Sequence, residues 1–279
     1  MHDNINSKNI VRILMLGDLV GKTGRLLFAR HASYLKKEFS LDGIMVNGEN
    51  CADDGRGITP QDALFLQSQG ADVITTGNHI WDKKTIIPFL EKSTLVLRPA
   101  NLSFDCPGVG VTVVECNGHT IGVLNVMGRV FMPPVSNCPF LSSQKQIEKI
   151  KEKTNLIFID FHAQATAEKV GLAYFLDGKV TAVVGTHTHT QTTDEQILPG
   201  GTAYVTDLGM CGSQHSVLGF SLKKNHLDIA TGEKSQPETQ APYILCGVIV
   251  TADVQTGKAL AIERIMKIDH EPLDCGKGE

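Results

Sequence analysis

Seven side chains of the kinds that bind divalent metal ions stand just past the ends of apolar runs in this sequence. Short runs rich in β-branched residues are typical of buried strands, and ligands of open α/β sheets gather beyond the carboxyl ends of the strands. One such residue alone would be explained by packing or by a turn, but five strand ends repeat the pattern. The sequence therefore predicts a metal centre at one sheet edge, built from Asp18, Glu49, Asn50, Asn78, His162, His187 and His189.

The number and spacing of these residues favour two ions over one. Seven ligands exceed a tetrahedral site, and His187 and His189 lie just past a strand, where their imidazoles can diverge around two adjacent ions. Glu49 is the natural bridge, because each of its carboxylate oxygens can hold one ion. Imidazole, carboxylate and amide ligands without a thiolate suit iron, manganese or zinc.

Such a pair of ions predicts chemistry at phosphorus. Two ions about 3.5–4 Å apart stabilise both the attacking and the leaving oxygen, and a water that bridges them loses its proton near neutral pH and becomes the nucleophile. His79, next to Asn78, is the predicted proton donor for the departing oxygen, because imidazole titrates near working pH. Asp82 could orient His79, although its position is more typical of the start of a surface helix.

The elements that must position these residues alternate between strand and helix in the first half of the chain. Strands at 11–16, 43–46 and 73–76 are separated by helices from about 22 to 37 and from Thr59, a good N-cap, to Gly70; a short helix is predicted at 83–91. Strands at 110–116 and 120–126 flank Asn117-Gly118, a tight hairpin signal. Helices at 142–153 and 165–176 alternate with strands at 156–159 and 180–184. Strands near 202–206, 243–251 and 259–266 follow, and about a dozen strands with outer helices indicate an α/β fold of two stacked mixed sheets.

Composition sets limits on the partners and the location of the protein. We expect residues 1–279 to form one domain, with a polar leader at 1–9 and a polar surface loop at 223–241. A net charge of −4 argues against binding of polymeric nucleic acid, and the longest apolar run is far short of a membrane span. Seven cysteines without a CxxC pair are typical of reduced thiols, which predicts a cytoplasmic location. A homo-oligomer is compatible with the sequence.

The motifs occur in an order that resembles the calcineurin-like metallophosphoesterases. That superfamily carries D-x-H, GD-x-x-D, GNH, a lone His and GH-x-H. Here Val20 replaces the first His, and the second motif is NGEN, so that Glu49 stands where the bridging Asp would be and Asn50 compensates for the missing ligand. These departures resemble the YmdB-like bacterial phosphodiesterases. The resemblance runs from Ile13 to about Gly219, through GDLVGKTGR, GRGITP, TTGNHIWDKK, RPAN, MGRVFMPP, DFHAQAT, GTHTHTQTTDEQILPGGTAYVTDLGM and VLGF.

This resemblance implies an α/β/β/α sandwich, iron or manganese as the pair of divalent ions, and hydrolysis of cyclic nucleotides. The substrates implied are notably 2′,3′-cyclic monophosphates, opened at the 2′-oxygen to leave a 3′-phosphate. One ion would be held by Asp18, Glu49, Asn50 and His189, and the other by Glu49, Asn78, His162 and His187. His79 would be the proton donor.

Substrate contacts are predicted less sharply. Arg56, Arg98 and Arg129 lie in loops near the motifs and could bind a phosphate bidentately. Phe131 or Trp81 could stack on a base. For each residue taken singly, loop hydrogen bonding or core packing is the more common role.

Three other classes compete with the phosphodiesterase. A P-loop NTPase is suggested by Gly21-Lys22-Thr23 after a strand, but the motif requires Gly where Leu16 stands. A non-catalytic metal-binding scaffold would keep the fold, although the complete ligand set with His79 argues against it. A metal-dependent amidohydrolase barrel would place its H-x-H after the first strand, whereas here it comes late.

Overall fold

The computed structural model describes residues 9–103, 105–134, 136–222, 231–232 and 235–275. Its strands are β1 Ile10–Leu19, β2 Gly43–Asn47, β3 Val73–Thr75, β4 Val96–Leu97, β5 Val111–Cys116, β6 His119–Met127, β7 Ile157–His162, β8 Ala182–Thr186, β9 Gln196–Ile197, β10 Ala203–Val205, β11 Met210–Ser213, β12 Tyr243–Asp253 and β13 Ala259–Asp269. The α-helices are α1 Gly21–Glu38, α2 Pro60–Ser68, α3 Ile87–Leu90, α4 Pro139–Lys151 and α5 Thr166–Leu176, and a 3-10 turn spans Lys84–Ile86.

The strands form two stacked mixed sheets with helices on the outer faces. The first sheet has the order β13-β12-β11-β1-β2-β3-β4, and the second has the order β5-β6-β7-β8-β10-β9. Within the first sheet β1, β2, β3 and β4 run parallel, and within the second sheet β6, β7, β8 and β10 do. The predicted α/β/β/α sandwich is confirmed, and the open sheets differ from the closed barrel of an amidohydrolase.

Both faces of the central strands are buried, and each face belongs to a different core. On β1, Ile13 and Met15 contribute to the core between the sheets, together with Phe158 of β7. The alternate residues Leu14 and Leu16 belong to an outer core that also contains Leu27 of α1. Successive side chains of a strand point to opposite faces, so this near-continuous apolar run fits a strand covered on both sides.

The carboxyl ends of the parallel strands carry the predicted ligands. Asp18 lies within β1 rather than after it, because β1 continues to Leu19 by pairing in parallel with β11 through Asp18 and Met210. The register between β1 and β2 shifts between Leu16 and Asp18. At Gly17 between them, a Cβ atom would lie 2.0 Å from the Gly209 carbonyl oxygen. Only glycine therefore allows this close approach.

Several local predictions are confirmed. In the β5–β6 hairpin, Asn117 and Gly118 both have positive φ, of 50° and 83°, as the predicted Asn-Gly turn requires. At α2, Thr59 and Asp62 form a capping box. The antiparallel pairing of β12 with β13 is also as predicted.

Other local predictions differ from the structure. α4 begins at Pro139 rather than at 142, because a proline at the first helical position extends the helix by one turn. The segment 83–91 divides into the 3-10 turn and α3. The short strands β4, β9 and β11 were not predicted, because two to four residues are too few to show a periodicity.

Some predictions fall outside this description. Residues 1–8 of the predicted leader, and residues 223–230 and 233–234 of the predicted surface loop, lie outside the described residues. That residues 1–279 form one domain stays a prediction. Among the helices of the described residues, none has the length and apolar character needed to cross a membrane.

Candidate metal centre

His162, the last residue of β7, lies at the centre of the cluster and is fully buried. Its Nδ1 lies 2.9 Å from the Thr186 hydroxyl, which in turn donates to an Asp160 oxygen at 2.6 Å. Because the Thr186 hydroxyl donates its hydrogen bond to Asp160, its oxygen accepts a hydrogen bond from the Nδ1–H of His162. This arrangement leaves the Nε2 lone pair of His162 available as a ligand.

Three further donors converge on the Nε2 atom of His162. Glu49 Oε2 lies 3.2 Å away, Asn78 Oδ1 3.1 Å away and His187 Nδ1 3.1 Å away. The ligand atoms of Glu49, His162 and His187 lie within 4.8 Å of one another. The strands β2, β3, β7 and β8 thus bring four of the predicted ligands to one point.

A second group of donors lies beside the first. His189 Nε2 is 3.7 Å from Asp18 Oδ1 and 2.9 Å from the Asn50 amide nitrogen, which is itself 3.2 Å from Glu49 Oε1. The Nδ1–H of His189 donates to the Leu218 carbonyl oxygen at 2.8 Å, so its Nε2 lone pair also faces the cluster. Glu49 therefore touches both groups, one with each carboxylate oxygen.

The surroundings of Asp18 show that these residues fit a metal ion. The residue is fully buried, and its Oδ2 accepts from the His187 backbone N–H at 3.1 Å. Its Oδ1 has no hydrogen-bond partner among the described residues. A buried carboxylate oxygen without a partner is costly in a protein interior. Asp18 and the six other candidate ligands together offer two carboxylates, two amides and three imidazoles, a donor set that fits divalent cations.

The charges of the cluster shift its pKa values. Burial opposes ionisation of Asp18, but the charges of His189 and then of His162 outweigh it and hold the pKa of the Asp18 carboxyl well below its usual range. Burial likewise opposes protonation of His189, but Asp18 raises the pKa of His189 to about 9. Burial and repulsion by His162 lower the pKa of His187 to about 4. A bound cation requires neutral imidazoles, a form that the low pKa of His187 already favours, and it would displace the proton that Asp18 holds on His189.

The turn that carries His187 and His189 is held in an uncommon backbone conformation. Both residues have positive φ, of 98° and 62°, a backbone conformation that residues other than glycine rarely adopt. Between them, Thr188 donates its N–H and its hydroxyl to Asp207 Oδ2, at 3.1 and 2.8 Å. Lys169 Nζ donates to the same oxygen at 2.7 Å. These buried hydrogen bonds to Asp207 hold the turn so that both imidazoles face the cluster.

His79 lies at the mouth of the cluster and is partly exposed. Its backbone N–H donates to Glu49 Oε2 at 3.2 Å, and its Nδ1 lies 2.9 Å from Asp82 Oδ2. Asp82 thus contacts His79, as the orienting role would require, and no described residue forms a hydrogen bond with Nε2 of His79.

The cluster opens into a cleft of about 420 Å³. Glu49, Asn50, His79, His187 and His189 form its inner part. Its other lining residues combine polar side chains with an apolar wall and include Arg56, Gln164, Thr188, Val217, Leu218 and Phe220. The cleft has the size and mixed character of a small-molecule site.

Comparison with known proteins agrees with this geometry. The family model described as YmdB-like protein matches residues 14–265. This chain belongs to the YmdB-like family. A relative from Bacillus subtilis (strain 168), named 2′,3′-cyclic-nucleotide 2′-phosphodiesterase, is 42% identical over 262 residues, which are 92% of this chain and 97% of that protein.

Solved structures of related proteins share the fold. A structure from Mycoplasma pneumoniae, described as a novel phosphatase, superposes with a TM-score of 0.86 at 33% identity and covers 95% of both chains. A hypothetical protein from Thermus thermophilus superposes with a TM-score of 0.83 at 33% identity, over 93% of this chain and 100% of that one. Membership of this YmdB-like family and the phosphatase neighbours imply the use of a divalent metal, and Glu49, His162 and His187 of the cluster are placed so that they could hold one.

The predicted substrate contacts are not all found at the cleft. Arg56 lines it, whereas Arg98 and Arg129 line two separate depressions. Phe131 is 85% exposed and does not line the cleft, and Trp81 packs against the outer core. All of these contacts stay predictions for this YmdB-like protein, and Arg56 is the one that the cleft geometry favours.

Sequence reasoning missed several residues that shape the site. Phe220 lines the cleft and belongs to the VLGF motif, for which the sequence predicted no role in the site. Asp160 contacts His162 through the Thr186 hydroxyl, and Asp207 accepts from Thr188 between the other two histidines. These two carboxylates belong to the DFHAQAT and TDLGM segments. The position of Asp160, two residues before His162, was the signal available in the sequence.

The location of Asp18 also bears on the P-loop alternative. Asp18 lies beside the histidines of the cluster, which gives no support to a P-loop.

Proposed function

We propose that this protein hydrolyses the cyclic phosphodiester of 2′,3′-cyclic nucleotides with two divalent metal ions, iron or manganese. At a coarser level, the chain is a hydrolase that acts on phosphoesters, as its relatives' names and its family membership indicate. The finer statement rests on the name of the Bacillus subtilis relative and on the geometry of the cluster.

The observation that carries the proposal is the convergence of donors on both sides of Glu49. Glu49 Oε2, Asn78, His162 and His187 would hold one ion, and Glu49 Oε1, Asp18, Asn50 and His189 would hold the other. Oδ1 of Asp18 accepts no hydrogen bond from a described residue, which supports the second ion, because a cation beside it would satisfy this oxygen. When bound, two such cations supply Lewis acidity at the phosphoester and a deprotonated water near neutral pH.

The remaining chemistry belongs to the side chains of the cleft. Cleavage of the bond between phosphorus and the 2′-oxygen leaves a 3′-phosphate and requires a proton on the departing oxygen. His79 can donate it from Nε2 while Asp82 holds Nδ1. Arg56 is placed to neutralise a phosphate oxygen, and Phe220 with Leu218 offers an apolar wall to the base.

Metal analysis followed by a paired assay tests the proposal. The protein is purified without added metal, its bound metals are quantified, and 2′,3′- and 3′,5′-cyclic nucleotides are then offered to the loaded protein. We expect about two ions per chain, preference for the 2′,3′-cyclic substrates and 3′-phosphate products. Glu49→Ala is the matched control and should lose metal and activity together.

The same experiment separates an enzyme from a scaffold. A metal-loaded protein that cleaves no phosphodiester between pH 5 and 9 would favour the non-catalytic role. Full metal occupancy in Glu49→Ala would contradict the bridging role of Glu49.

A further inference from the structure

A second cavity, of about 460 Å³, shares no lining residue with the metal cleft. It lies where the end of the first sheet, at Arg98 after β4, meets α4. Arg98 is only 7% exposed, yet it forms no ion pair with any carboxylate in the described part of the chain. A buried cation is normally paired, so the missing counter-charge requires an explanation.

The hydrogen bonds of Arg98 show which part of the guanidinium is unpaired. Its Nη1 donates to the neighbouring Pro99 carbonyl oxygen at 2.9 Å. Its Nε is buried without a partner, and no acceptor for Nη2 occurs among the described residues. Nε is enclosed by protein atoms, so Nη2 is the nitrogen of this guanidinium that can take an acceptor from a ligand. The charge of Arg98 therefore lacks a counter-ion, and its Nη2 lacks an acceptor, among the described residues.

The electrostatics of Arg98 agree with a missing anion. Burial lowers the pKa of the Arg98 guanidinium, and among the described residues Cys106 opposes this effect by a smaller amount. No described carboxylate offsets the loss of hydration. An anion delivered by a ligand would offset it.

The rest of the cavity wall is also suited to an anion. Ser142, Lys145 and Gln146 lie on one face of the first half of α4, at the spacing that places side chains side by side, and Asn137 precedes the helix. Lys145 is exposed, so its ammonium group can reach a ligand in the cavity. The residues that line the cavity include two cations and no carboxylate. The positive end of the α4 dipole adds to this field.

We propose that the cavity is a second anion-binding site that takes a phosphate group of a small molecule. Arg98 would bind a phosphate oxygen with its Nη2, Lys145 would supply the second charge, and Ser142 with Asn137 would donate hydrogen bonds. The site is independent of the metal cleft, because none of its residues is a proposed metal ligand.

Calorimetric titration of the metal-loaded full chain with inorganic phosphate tests this site. We expect two classes of phosphate site, one at the metal cleft and one at the cavity, and the cavity class should persist after the metals are removed by chelation. Lys145→Glu should weaken the cavity class by about tenfold or more, because a charge-assisted contact becomes a repulsion. Lys145→Glu should leave turnover of a cyclic nucleotide unchanged.

Two further variants locate the site. Lys149→Glu makes the same charge change on α4 outside the cavity and should alter phosphate affinity by less than about twofold, because an exposed charge is screened. Arg98→Lys keeps the charge but removes the Nη2 donor, and it should weaken the cavity class as well. A single class of phosphate site in the wild-type protein would overturn the proposal, and so would a second class that Lys145→Glu leaves unaltered. Lys145 alone decides the matter if Arg98→Lys does not fold.

Discussion

The proposed ligand role of His162 depends on residues that do not line the cleft. Asp160 lies two residues before it on β7 and accepts hydrogen bonds from Thr186, Thr75 and Asn47. Burial raises the pKa of Asp160 to about 6, although His162 and these hydrogen bonds oppose the rise. The Thr186 hydroxyl can serve as the acceptor for His162 because Asp160 takes its proton. At the scale of single residues, the tautomer of the ligand is therefore set by a buried polar network.

Replacement of His79 by alanine should separate proton donation from metal binding. We expect kcat on a 2′,3′-cyclic nucleotide to fall by about 10²–10⁴-fold, the usual contribution of general acid–base catalysis. Metal content should not change, because His79 contacts Glu49 only through its backbone N–H. Asp82→Asn is the graded control: it keeps a hydrogen-bond partner for Nδ1 but removes the charge, so the loss should be smaller. Unchanged turnover in His79→Ala would exclude it as the proton donor.

The glycine at position 77 is required by the cluster itself. A Cβ atom there would lie 2.2 Å from His162 Cδ2 and 2.3 Å from Glu49 Oε2, so Gly77→Ala must displace one of the two ligands. We expect loss of bound metal and of activity, measured by metal analysis and turnover. Gly171→Ala in α5 is the matched control, because its Cβ would meet only Phe140, at 3.5 Å. That variant should keep its metals and gain about 0.5–1 kcal/mol of stability from helix propensity. Full metal occupancy in Gly77→Ala would contradict the close packing of these ligands.

At the scale of elements, the short turn after β8 is the most demanding part of the site. It directs two imidazoles, two residues apart, at the same cluster, and both histidines have positive φ. α5 supplies Lys169, and the segment between β10 and β11 supplies Asp207, so two separate elements brace one turn. Asp207 Oδ1 also accepts from the Gly209 N–H at 2.9 Å. The strain of the turn is thus offset by buried hydrogen bonds.

Removal of Asp207 should destabilise the protein far more than removal of an exposed acid. Asp207→Ala leaves Lys169 as an unpaired buried cation, and the expected loss is about 3–5 kcal/mol in the free energy of unfolding. Asp54 pairs with Lys83 at a partly exposed site, and Asp54→Ala should cost less than about 1 kcal/mol. Urea unfolding of the two metal-free variants and the wild type measures both values. Equal losses in the two variants would show that the buried Asp207–Lys169 pair contributes no more to the free energy of unfolding than a surface pair does.

For the whole molecule, the sequence is most informative where burial and periodicity act together. The long strands β1, β6 and β12 and the helix α1 were predicted because their apolar patterns are determined by cores on one or both faces. β11 was missed because its four residues, Met-Cys-Gly-Ser, have no such pattern and are strand only through pairing with β1 and β12. Strand order likewise depends on tertiary packing and cannot be obtained from local propensity.

The same limit applies to the candidate site. The types of its candidate ligands were predictable because such residues gather beyond the carboxyl ends of parallel strands. The prediction of a single sheet edge was wrong, because Asp18 lies on β1 of the first sheet and His162 on β7 of the second, and only the stacking of the two sheets brings them together. The loop residues had no such constraint. Arg56 and Arg98 look alike in the sequence, yet one lines the cleft and the other a different cavity, because loop paths are set by contacts between distant segments.

Metal removal should weaken the whole fold and not only its activity. The cluster joins strands of both sheets, and its ions would bind the native chain but not the unfolded one, so their binding energy adds to stability. At a free metal concentration of a thousand times Kd, the gain is about 4 kcal/mol, which should raise Tm by roughly 10 °C in a protein of this size. Thermal unfolding of chelated and reconstituted protein measures the shift. His79→Ala should show the full gain and Glu49→Ala none, because only Glu49 belongs to the proposed ligands. The same Tm with and without metal in the wild type would mean that the cluster does not link the two sheets through bound ions.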